Sequence, residues 1–218
     1  MMRPTSLNIE PWRAQQVHWP DAGRHILAQY DDRSVVVYQA YNPAIAGFAV
    51  DHNRLAGAPG FGLGRMSWVK PNFLWMMYRS GWATKPGQER VLAIHVDRAF
   101  FDRVLAAAAW TRFEPAVHAT EAEWRANLDA SPVRLQWDPD HGPGGNPLTR
   151  RAIQLGVVGE VLEEFTSTAI VAIEDLTPFV HAQDEIRRAR GADLATPRER
   201  VYPVADSKTA RKLMLDAP

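Results

Sequence analysis

Apolar positions change their period several times along this chain. SVVVYQAY (Ser34–Tyr41) is an almost unbroken run of β-branched and aromatic residues and predicts a strand. It places Gln39 and Tyr41 on one face with Val35 and Val37. ERVLAIHVD (Glu89–Asp97), RAIQLGV and AIVAIEDL predict three more strands. VRLQWD alternates strictly, with Val133, Leu135 and Trp137 on one face and Arg134, Gln136 and Asp138 on the other.

Between these runs the spacing turns helical. GRHILAQYDD predicts a short helix over Arg24 to Tyr30. Asn42 suits an N-cap and Pro43 a first helical position, so a helix runs to about Asn53. RMSWVK reads as extended, and Pro71 then opens a helix through Arg79 that Gly81 ends. RAFFDRVLAAAAW, TEAEWRANL and VGEVLEEFTS predict further helices. TPFVHAQDEIRRARG predicts another, capped by Thr177 and stopped by Gly191. PDHGPGGNP reads as a flexible loop, and LAGAPGFGLG as a Gly-rich one. The expected architecture is one α+β domain over residues 21–204, a mixed, mostly antiparallel sheet with helices packed on it. Residues 1–20 read as an arm on that domain, and 205–218 as a loose tail with no partner in the pattern.

Composition narrows the classes. The 218 residues are 46% hydrophobic, enough for a substantial core. Lys plus Arg and Asp plus Glu number 25 each, which argues against a global positive field for coating nucleic acid or membrane. No cysteine is present, so disulfides, thiolate metal sites and a cysteine nucleophile are excluded. The N-terminal stretch has no apolar core of a signal peptide and no apolar run reaches membrane-spanning length, so a cytoplasmic location is expected.

The common catalytic motifs are missing. Gly60, Gly62 and Gly64 form G-x-G-x-G, but between a helix and a strand, where a dinucleotide fingerprint does not sit; a turn is the plainer reading. Asp138, Asp140 and His141 offer oxygen and nitrogen ligands but lack a further ligand at fixed spacing, so no metal site is assigned. His95 shares an apolar face with Val91 and Ala93 and reads as a satisfied core histidine.

The stretch from Arg65 to Arg90 stands out. Arg65, Lys70, Arg79, Lys85 and Arg90 face one anion, Glu89, a local net charge of +4 in a neutral chain. Three of the chain's eight Trp, Trp68, Trp75 and Trp82, lie among them. Cations neutralise phosphates and indoles stack on flat rings, the pairing that a nucleotide needs. The competing reading packs the indoles as core and lets the cations reach water. On the helix, Phe73, Leu74 and Met77 fall to the core side, while Trp75 and Arg79 share the other face. Arg65, Trp68, Lys70, Arg79, Trp82 and Lys85 are the candidate ligand-binding residues. Tyr41 and Gln39, at the end of their strand, and Gln154, in mid-strand, are candidates to orient a reacting group; Gln154 serves equally as a structural brace.

VVVYQAYNPAIAGFAV, RMSWVKPNFLWMMYRSGWATKPGQERVLAIHV, VRLQWDPD and RRAIQLGV resemble the domain-of-unknown-function family numbered 4291, over roughly residues 20–204. That resemblance implies a single-domain protein and carries no established activity. The order of elements is also similar to that of compact ADP-ribosyltransferases, which bind NAD in a cleft lined by Arg or His, aromatics and a late-strand Glu or Gln. By that analogy Arg65, Tyr41 and Gln154 take those parts. Three functions follow as expectations: an enzyme on a nucleotide-containing ligand such as NAD, a non-catalytic binder of single-stranded nucleic acid, or a protein-interaction domain with an aromatic hot spot.

Overall fold

The computed structural model describes residues 6–189 and 194–217. The chain enters through strand β1 (Ile9–Pro11), a helical turn α1 (Trp12–Gln15) and short strands β2 (Gly23–Arg24) and β3 (Leu27–Ala28). Next come β4 (Ser34–Tyr41), α2 (Pro43–His52), β5 (Ser67–Val69) and α3 (Phe73–Ser80). They are followed by β6 (Arg90–Asp97), α4 (Arg98–Ala107), β7 (Ala109–Trp110) and α5 (Glu121–Ala130). A long hairpin, β8 (Val133–His141) and β9 (Pro147–Val157), precedes α6 (Gly159–Phe165), β10 (Ile170–Asp175) and α7 (Thr177–Arg188). The described chain closes with β11 (Ala195–Pro197), β12 (Arg200–Val201) and α8 (Ser207–Lys212).

Two sheets dominate. One is antiparallel, in the order β10–β6–β4. The other runs β2–β9–β8–β7, with β5 also paired to β9. Their inner faces share one core, in which Val35 and Val37 of β4 and Leu92 and Ile94 of β6 join Val133, Leu135 and Trp137 of β8 and Ile153 and Leu155 of β9. Removing these apolar surfaces from water is the main drive to fold. The outer face of the three-stranded sheet carries Val36, Tyr38, Val91 and Ala93, covered by Phe73, Leu74 and Met77 of α3 and Val180 of α7. Lys70 accepts a 2.7 Å hydrogen bond from Tyr38 N at its carbonyl, which ties β4 to the segment after β5. Together these elements form a mixed, mostly antiparallel α+β domain.

Several elements differ from the pattern reading. Arg24 to Tyr30 is not helical: Arg24 pairs in parallel with Arg151, and Leu27 and Ala28 pair with Val201 and Arg200. Long-range pairing overrides a weak local preference there. The helix expected from Pro71 starts at Phe73, because Asn72 is its N-cap and accepts a 2.7 Å bond from Trp75 N. Gly81 closes it in the left-handed region, at φ 61°. β8 continues through Pro139 and Asp140 to His141, so the expected loop shrinks to the tight link before β9. Thr177 is the first helical residue and not the cap; Asp175 accepts from its N–H at 2.9 Å. Gly191, read as that helix's stop, lies outside the described residues. The tail is docked: Trp110 Nε1 donates to Lys212 O at 2.8 Å, Trp137 Nε1 to Leu213 O at 3.2 Å, and Leu213 is fully buried. Among the described residues no helix is long and apolar enough to cross a membrane.

Candidate functional site

The Trp68 carbonyl is where the predicted residues meet. It accepts from Gln39 Nε2 at 2.9 Å and from Lys70 Nζ at 3.1 Å. Gln39 also donates to Ser67 Oγ at 2.8 Å and accepts from Tyr41 OH at 2.6 Å. The alternation of β4 puts Gln39 and Tyr41 at the edge of the inner core, beside β5. Burial raises the Tyr41 phenol above its ordinary range, so it stays a donor. Gln39 is thus engaged through both ends of its amide, as a stitch between β4 and β5.

Lys70 lies on the other side of that carbonyl and is 6% exposed. Its ammonium sits 5.1 Å from the centre of the Trp75 ring. Among the described residues no carboxylate lies within ion-pair distance of it. Burial, reinforced by the Arg79 charge, pulls its pKa down to about 7, against an opposing pull from Asp138. Asp138 is held in turn by Gln136 Nε2 at 2.8 Å and Gln154 Nε2 at 2.6 Å. Gln136 and Gln154 face each other directly across β8 and β9, so the carboxylate is clamped on the polar side of the hairpin. Gln154 is a brace for this carboxylate.

Trp68 is half-buried and lies over Gly156, its partner in β9. A Cβ at Gly156 would come within 2.5 Å of Met66 Sδ and 3.1 Å of Trp68 Cε2, so glycine lets these side chains lie close on the strand. Arg79 is exposed at the last turn of α3.

The structure therefore gathers Gln39, Tyr41, Trp68 and Lys70 around one junction, with Arg79 and the Asp138 that Gln154 braces acting on Lys70 through their charges. It places the other candidates differently. Lys85 Nζ donates to Arg79 O at 2.7 Å, so its charge serves the C-terminal end of α3. Trp82, at φ 58°, is buried edge-on against Phe73, with Arg187 5.2 Å from its ring. Arg65 is exposed on the loop before β5. His95 points to the outer face and lies 3.0 Å from Glu174.

Asp138 and Gln136 were not read as site residues, although the strict alternation of VRLQWD had put both on the polar face. The residues next to Asp138 diverge. Asp140 is buried and paired with Arg150 at 2.7 Å, with burial raising its pKa. His141 stacks on Tyr78 at 3.7 Å, and burial lowers its pKa. Among the described residues no three His, Asp or Glu side chains converge as metal ligands.

Residues 25–202 match one protein family, described as a domain of unknown function (DUF4291). No curated protein matches the chain.

Proposed function

The chain belongs to the DUF4291 family, and from that premise and the Trp68–Lys70 junction we propose an enzyme acting on a phosphate-bearing, nucleotide-type ligand such as NAD. The observation that carries this reading is Lys70. It is a buried amine with one hydrogen bond to a carbonyl, an aromatic ring beneath it and a second cation, Arg79, acting on it through space. A ligand phosphate would supply the missing counter-charge to both cations. The half-exposed Trp68 indole offers a stacking face next to them. Lys70, with a pKa of about 7, is then a group able to take or give a proton near neutral pH, and Asp138 is held in place by Gln136 and Gln154. Gln39 and Tyr41 position Trp68 and Lys70 through the shared carbonyl.

The interaction-surface reading is disfavoured because Trp75 and Trp82 are each 7% exposed, packed within their own chain. Calorimetric titration with NAD, ADP and a short single-stranded oligonucleotide separates the others. Binding of NAD or ADP is expected, weakened roughly tenfold or more in Lys70→Met and in Arg79→Ala, the scale of a charged hydrogen bond. Binding of the oligonucleotide alone, or of no nucleotide at all, would overturn the proposal.

A further inference from the structure

A cavity of about 340 Å³, separate from the Lys70 junction, opens where the end of α4 meets β7. Its apolar lining is the alanine run Ala107–Ala109 with Trp110 and Val117. His118, Asn127 and Lys212 also line it. α5 contributes Asn127 to the lining, and none of its residues is buried.

The polar groups fix the chemistry of an occupant. The Lys212 ammonium, brought in by α8, donates to the Ala106 carbonyl and has protons to spare. Lys208 and the carboxylate of Asp206, which caps α8 by accepting from the Lys208 and Thr209 amides, act on Lys212 in opposite senses, so the Lys212 ammonium is the charge an occupant meets. His118 is 5% exposed, with Nδ1 3.2 Å from Glu114 O. Ser131 Oγ accepts from Val133 N and has the Ala107 and Val133 carbonyls within reach of its one proton. The result is a small apolar floor with an ammonium and a carboxamide at its edge, an arrangement typical of small-molecule sites.

We infer that this cavity binds a small aliphatic carboxylate, its chain on the alanine floor and its carboxylate on Lys212 and Asn127. A cation would meet the Lys212 ammonium, and a neutral ligand would leave its charge unmatched.

Titration calorimetry with hexanoate, hexanol and hexylamine tests the assignment. Hexanoate is expected to bind saturably, more tightly than hexanol, with hexylamine silent. Ala107→Phe, which fills the hollow from a partly exposed position, should abolish binding while circular dichroism and the melting temperature stay close to the parent's. Lys212→Met should weaken hexanoate roughly tenfold or more and leave hexanol unchanged. Lys70→Met should leave hexanoate binding intact, which separates this site from the nucleotide proposal. Absence of saturable hexanoate binding, hexanol bound as tightly as hexanoate, or full binding in a folded Ala107→Phe would each overturn it.

Discussion

Lys70 opposes the fold that contains it. Its pKa falls from an ordinary 10.5 to about 7 on folding, so between those values the unfolded chain holds a proton that the folded chain does not. Stability contributed at this position therefore rises as pH climbs from about 7 to about 10, by up to ~1.4 kcal/mol per pH unit. Below about 7 both states are charged and the penalty is constant. Lys70→Met is expected to unfold at higher denaturant concentration than the parent at pH 7, with the gain shrinking toward pH 10. Equal midpoints at pH 7 would mean that the ammonium is well solvated where it stands. A stabilising substitution that also removes nucleotide binding would mark Lys70 as kept for function. The basic character of this stretch was legible in the sequence; that Lys85 and Trp82 turn away was not, since helix-end contacts and a left-handed backbone depend on tertiary packing.

At the scale of elements, α3 shows how a short helix is held in place. Its start is fixed twice, by Asn72 and by the fully buried Glu199, which accepts from Phe73 N at 2.6 Å and from Asn72 Nδ2 at 3.2 Å. Burial drives the Glu199 pKa well above its ordinary value. Asn72→Ala should cost about 1 kcal/mol, the usual loss for a cap. Glu199→Ala should cost more, on the order of 2–3 kcal/mol, because it strands a buried N–H. Denaturant titrations read both, and a smaller loss for Glu199→Ala would remove it from this role. The Asn72 cap was hidden by Pro71, which draws attention as a helix opener two residues too early. Glu199 was invisible because it lies 126 residues from the N–H it binds. β4, β6 and β8 were legible because each has a continuous or alternating apolar pattern. β2, β3 and β12, with two residues each, carry no period to read.

At the scale of the whole molecule, the two ends of the described chain are stitched together. β1 pairs with β11, Ile9 opposite Pro197. Gln15 adds to this by donating to Thr196 Oγ1 at 2.8 Å and accepting from Glu199 N at 2.8 Å. Neither partner could be guessed from local pattern, since 181 residues separate Gln15 from Thr196. Such a contact closes a very long loop and gains nothing until the intervening sheets exist. Gln15→Ala is therefore expected to lose ~2 kcal/mol, nearly all of it as faster unfolding with the refolding rate almost unchanged. Refolding slowed in proportion would place the contact in the transition state instead. On the expectation of an almost unchanged refolding rate, the protein is a ring fastened last. Its persistence once folded is then expected to depend on how seldom that fastening opens, and Glu199 carries the same fastening to Asn72 and Phe73, just past Lys70.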